Sequence, residues 1–180
     1  CFFSSVSPSC GCPLLSDAHF FLFHFAQWLE PNVSSSYEFI IGVRPAFTSS
    51  RSINAMLAAN LVIVPLECEA LAIKSLKRFL QAFKELQRTI EPRLRLAGIL
   101  LTMYNNEILT HQQICKQVYQ TLGDSVFETI IPNCQHILEA SSLGIDVIQR
   151  HLNSAGATGY IRLANELLDR FLLPKSLEVG

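Results

Sequence analysis

Residues 61–103 read LVIVPLECEALAIKSLKRFLQAFKELQRTIEPRLRLAGILLTM, and their changing period decides the fold class. The opening LVIV (61–64) is continuously apolar, as in a strand covered on both faces. Pro65 is expected to end it, because proline brings no donor to a ladder. From residue 70 the period lengthens. Ile73, Leu76, Phe79, Leu80, Phe83, Leu86 and Ile90 recur every three or four positions, and Lys74, Lys77, Arg78, Gln81, Lys84 and Arg88 fill the opposite side. That is an amphipathic helix, stopped at Glu91-Pro92 because the residue before a proline is pushed out of helical geometry. Residues 95–103 (RLAGILLTM) return to a buried-type strand. Strand, helix, strand with continuously apolar strands is the repeating unit of a parallel sheet.

The same alternation extends both ways. Downstream, Thr110-His111-Gln112-Gln113 has capping-box spacing and opens a helix to about Leu122. Gly123 suits its end, where positive φ is needed. Residues 126–131 (VFETII) read as a strand stopped by Pro132. Helices are expected near 136–143, closed by Gly144, and near 157–172. Upstream, YEFIIGV (37–43) reads as a strand centred on 39–43, and 50–59 as a short helix. The expected fold is α/β, a mostly parallel sheet flanked by helices, with strands near 39–43, 61–64, 96–103 and 126–131. Such sheets bind ligands beyond the carboxyl ends of their strands. Those ends carry Arg44-Pro45, Leu66-Glu67, Tyr104-Asn105 and Pro132-Asn133.

Composition narrows the function. Hydrophobic residues make up 49% and charged residues 16% of 180, which excludes general disorder. The formal charge of -1 gives no global field toward nucleic acid or anionic lipid. No stretch approaches the ~20 apolar residues of a membrane span. None of the cations precedes Arg44, and three of the six cysteines (Cys1, Cys10, Cys12) lie in the same lead-in. Residues 1–36 are thus set apart as a Phe/Ser/Cys-rich segment not native to the fold, 37–173 as the folded domain and 174–180 as a tail. With no positive n-region, the lead-in is not a secretory signal. Cys68, Cys115 and Cys134 are read as reduced thiols in a cytoplasmic chain. Cys10-Gly11-Cys12 with His19 and His24 fits no standard zinc spacing, so no metal site is expected.

Four motifs, in order, give a resemblance to the ParA/Soj/MinD family of deviant Walker partition ATPases. They are NAMLAANLVIVPLECE (54–69), AGILLTMY (97–104), VFETIIPNCQHILEASSLG (126–144) and AGATGYIRLANELL (155–168). The resemblance covers about residues 37–170 and implies a P-loop fold, ATP and Mg²⁺ as cofactors, a homodimer, nonspecific DNA and a ParB-like partner. It places Pro45, Glu67 and Glu69 in the switch region and Pro132 and Asn133 at the adenine edge. The family's phosphate loop lies upstream of everything matched, and no Gly-Lys-Thr or Gly-Lys-Ser occurs in these residues. The chain therefore looks like the C-terminal half of such a protein, a fragment expected neither to bind nor to hydrolyse Mg-ATP by itself. Residues 1–36 do not supply the missing half, so the sheet should have a poorly covered edge. The family's magnesium-linked aspartate falls on Val43, its arginine after Ile-Pro on Asn133, and its next arginine on His136. The arginine after its Thr-Met-Tyr-Asp has no counterpart at Asn105-Asn106-Glu107.

Seven of the 14 cations lie between Lys74 and Arg95. The functional reading makes Lys74, Lys77, Arg78 and Lys84 a DNA-phosphate stripe. The bland reading is a solvated helix face. MinD-like relatives put a C-terminal amphipathic helix on membranes, but the last helix here has few cations and is expected to dock instead. No catalytic set is expected. Ser141-Ser142 near His136 lacks a placed acid, Glu67 and Glu69 would point to opposite faces if extended, and His111 is read as an exposed first-turn residue. Two functions follow: a partitioning ATPase of chromosomes or plasmids in partial form, or a degenerate, non-catalytic interaction and dimerisation module.

Overall fold

The computed structural model describes residues 39–43, 55, 56, 58–89 and 92–171. They fall into two compact units, residues up to Val62 with Phe83–Arg95, and Ile63–Ala82 with Leu96 onward. Strand β1 (Leu61–Glu67) and strand β2 (Arg95–Thr102) are neighbours in one sheet, joined by helix α1 (Ala70–Thr89). The Arg95 N–H donates to the Asn60 carbonyl at 3.0 Å, so both strands start side by side and run parallel. β2 is buried from Ala97 to Leu101, as its apolar run requires.

β1 departs from the sequence reading in two ways. It does not stop at Pro65, and it alternates, with Leu66 buried but Ile63 and Pro65 exposed. Both follow from its place at the end of the described sheet. A prolyl nitrogen facing away from the ladder costs no hydrogen bond, and an edge strand has a solvated side.

The segment 126–132 runs parallel beside β2, but only as two isolated bridges, Ile99 with Val126 and Tyr104 with Pro132. The Phe127 N–H donates to Ile99 O and the Ile131 N–H to Leu101 O. Two residues of β2 thus face four of its neighbour, so two are extra. Their amides, Glu128 and Thr129, donate instead to Oε1 and Oε2 of Glu166, at 2.8 and 2.9 Å. The strand expected over 126–131 is bulged because a distant carboxylate takes its central donors.

The remaining helices are α2 (Leu109–Leu122), α3 (Gln135–Ser142), α4 (Val147–Arg150) and α5 (Ala155–Phe171), with a 3-10 turn over Gly123–Ser125. The capping box does not form. Ile108 is the N-cap of α2 and no side chain caps it, which puts Thr110 inside the helix. Gly123 (φ 48°) and Gly144 (φ 68°) do take the left-handed positions expected of them. α1 buries Leu76, and α2 buries Ile114 and Val118, against Leu66, Cys68, Ile99, Leu101 and Val126. Each such large side chain contributes about 1.5–3 kcal/mol on burial. α5 docks through Gly156, Ala157 and Gly159, all buried. No helix of the described residues is long and apolar enough to cross a membrane.

Residues 39–43 do not form the expected strand; they are irregular and exposed, with Val43 at 68%. A strand exists only within a ladder, and the described residues give it none. Of the helix expected at 50–59, Ala55 and Met56 are helical and most of the rest lies outside the described residues.

Candidate functional site

The carboxyl ends of β1 and β2, the turn at Asn133 and the start of α2 surround a cleft of about 270 Å³, lined by Glu67, Cys68, Glu69, Met103, His111 and Asn133. Glu67 and Glu69 share it, contrary to the opposite-face expectation. The Glu69 N–H donates to the Glu67 carbonyl at 2.8 Å, a three-residue turn that ends the strand and with it the alternation of faces. Met103 takes φ 54° as β2 ends. For a non-glycine residue that conformation costs on the order of 1–3 kcal/mol and is held by its surroundings. The hold is visible on either side. The Tyr104 N–H donates to Ile131 O, and the Asn133 N–H donates to Tyr104 O at 2.8 Å, which fixes Asn133 at the cleft.

His111 is half-buried rather than the exposed residue expected. Its Nδ1 accepts the Asn105 N–H at 3.1 Å, so the neutral ring carries its proton on Nε2. Asn105 Oδ1 accepts the Glu107 N–H at 2.9 Å, an Asx turn that shapes the same loop. Burial, with Cys115 close by, pushes the Cys68 thiol up to about 11, so it remains protonated and inert. Cys68, Cys115 and Cys134 are free thiols.

The adenine-edge pair is divided: Asn133 lines the cleft, while Pro132 bridges to Tyr104 and lies against Gly159 of α5. Pro45 lies outside the described residues. Lys74, Lys77, Arg78 and Lys84 are all exposed on α1. The cleft itself does not fit a triphosphate. Among the described residues its lining carries two carboxylates and no Lys or Arg, and phosphate binding needs cations or converging N–H donors.

Two further groups were not legible in sequence. Arg170 donates to Asp124 O and Val126 O, stacks 5.0 Å over Phe127 and pairs with Glu166 at 2.6 Å, clamping α5 to the bulged segment. The second gathers His136 and Glu139 of α3 with His151 at the end of α4. Only the spacing of three between His136 and Glu139 hints at it; His151 arrives through the tertiary fold.

A parallel sheet flanked by helices, with its cleft at the strands' carboxyl ends, defines an open α/β fold of the ligand-binding kind. A family model described as an AAA domain matches residues 20–96, starting inside the lead-in. The chain is 33% identical over 134 residues to the chromosome partitioning protein ParA of Caulobacter vibrioides, covering 74% of this chain and 50% of that protein. It is 37% identical over 134 residues to the chromosome-partitioning ATPase Soj of Thermus thermophilus, covering 74% and 54%. Among solved structures, the septum site-determining protein MinD of Pyrococcus horikoshii, complexed with Mg-ADP, superposes with a TM-score of 0.62 at 22% identity, covering 84% of this chain and 56% of that one. By sequence and fold the chain belongs to the ParA/Soj-like family of P-loop ATPases. It spans about half the length of the curated relatives it matches.

Proposed function

We propose that this chain serves DNA partitioning as a cytoplasmic ParA/Soj-like protein, contacting nonspecific DNA through Lys74, Lys77, Arg78 and Lys84 on α1. The observation that carries the DNA contact is the division of that helix, whose apolar residues enter the core while these four cations remain exposed. ATP hydrolysis with Mg²⁺ requires a phosphate loop that these 180 residues do not contain. A homodimer and a ParB-like protein are the partners this reading implies, on a chromosome or a plasmid. Four neutralised phosphates give a salt slope of roughly −3.6 in log K against log salt. Fluorescence anisotropy with random-sequence duplex should show that slope, and Gln at all four positions should abolish most of the binding. Unchanged affinity in that variant would sink the DNA route.

One observation favours a second reading, a non-catalytic dimerisation module. Val43 stands where the family's magnesium-linked aspartate falls, and an exposed valine offers no oxygen to a metal or its water. Restoring Asp at Val43 in a chain joined to an intact phosphate-loop half, and measuring phosphate release, separates the two. Phosphate release absent with Val43 and gained with Val43→Asp would count for the module; release already present with Val43 would count against it.

A further inference from the structure

We infer that His136, Glu139 and His151 form a binding site for a borderline divalent transition metal of the Zn²⁺ class, separate from the cleft and from any nucleotide-linked magnesium. The potential ligand atoms all lie within 4.8 Å of one another. His136 Nδ1 is 3.9 Å, and His151 Nε2 3.3 Å, from the same carboxylate oxygen, Glu139 Oε2. A tetrahedral ion with bonds of about 2.0–2.2 Å holds its ligands roughly 3.4 Å apart. Of the two separations to Glu139, one already meets that value and the other exceeds it by about half an ångström; the two imidazoles lie within 4.8 Å of each other and must also close by side-chain rotation.

The rest of the cluster prepares the carboxylate. Arg150 donates to Glu139 Oε1 from Nε and Nη2, at 3.1 and 2.8 Å. This fixes the carboxylate plane and leaves Oε2 to the imidazoles, the outer-shell orientation seen around metal ligands. The two rings are 4.3 Å apart, centroid to centroid. His151 Nε2 is buried, and the Glu139 carboxylate 3.3 Å away pairs with it without a well-formed hydrogen bond. A buried ring nitrogen left without a partner is costly unless something accepts its lone pair or proton. A cation between the three groups takes that lone pair and one from His136. Two imidazoles and one carboxylate favour Zn²⁺, Co²⁺, Ni²⁺ or Cu²⁺ over Mg²⁺ or Ca²⁺. A fourth position remains for water.

The test uses the full chain with Co²⁺ and Zn²⁺ as probes. Co²⁺ should bind one to one, with a visible spectrum lacking the near-ultraviolet thiolate band. His136→Asn and His151→Asn should each weaken binding at least tenfold, and Cys134→Ser should leave it unchanged. A strong thiolate band with no loss in the histidine variants would place the metal on the cysteines and overturn the site; so would the absence of saturable binding. Should the variants fail to fold by circular dichroism, the unaltered chain still decides. Zn²⁺ should protect His136 and His151, but not His19, His24 or His111, from diethyl pyrocarbonate as mapped by mass spectrometry. Equal modification of all five with and without Zn²⁺ would refute the assignment.

Discussion

Glu166 and Arg170 show how far two side chains can act. The Glu166 carboxylate is 14% exposed, accepts two backbone N–H groups and pairs with Arg170. Burial pushes its pKa up, but the Thr129 hydroxyl, the two amides and Arg170 outweigh burial and hold it below the usual carboxylate value. A depressed folded-state pKa contributes stability above the unfolded value, near 4.5, and that contribution is lost as pH falls through the folded one. Glu166→Ala should cost roughly 1–3 kcal/mol in urea unfolding near neutrality, since it strands two amides. The gap to the parent chain should close progressively below about pH 4.5. At the alkaline end the sign reverses. Burial pushes Cys68 up to about 11 and Tyr119, which donates to Phe127 O, up to about 12. Their unfolded forms ionise near 9.0 and 10.0, so stability should decline from about pH 9 upward. Ellman's reagent at about pH 8 should leave Cys68 untouched until denaturant is added.

Among the elements, α5 depends on having almost no side chain where it meets its neighbours. A Cβ on Gly156 would sit 2.6 Å from Ile137 Cγ1, and one on Gly159 would sit 3.3 Å from both Ile131 Cδ1 and Pro132 Cδ. Gly156→Val should therefore lift α5 away from α3 and cost about 1–3 kcal/mol by overpacking, read as a lower urea midpoint with the slope preserved. α1, α2, α3 and α5 were legible in sequence to within about two residues, because their apolar periods and glycine ends are local signals. The capping box at Thr110 and the stop at Pro65 misled for one reason. Each motif is permissive, and tertiary position decides whether it is used. The bulge at 128–129 had no local signal, since its cause lies 37 and 38 residues away in Glu166.

For the whole molecule, the sheet's direction and the edge that carries the cleft could be read from the strand ends. The presence of both Glu67 and Glu69 at the cleft could not, because it rests on one tight turn. Nor could the role of His111, which rests on the Asn105 amide. Calorimetric titration of this chain with ATP and magnesium should show no saturable micromolar binding. Each missing charge-assisted phosphate contact is worth about 1.5–3 kcal/mol, and losing three or four moves affinity beyond the millimolar range. Magnesium-dependent binding at micromolar ATP would reveal a phosphate site elsewhere in the chain. β1 ends the sheet of the described residues, and a strand edge left uncovered there would offer pairing to a second copy. Light scattering should accordingly show mass rising with concentration; a constant monomer mass would argue that this edge is covered.

The clamp from α5 to the bulged segment also sets an order of events during synthesis on the ribosome. The amides of Glu128 and Thr129 emerge 38 and 37 residues before the carboxylate that receives them. At about 5–20 residues per second, the third line of the sheet waits roughly 2–8 seconds with those donors unclaimed. Through that interval the nascent chain exposes a half-made sheet margin. A pause in translation after Glu128 and Thr129 have left the ribosome, but before Glu166 has, should therefore raise the yield of aggregated product, whereas a pause after Glu166 has emerged should not.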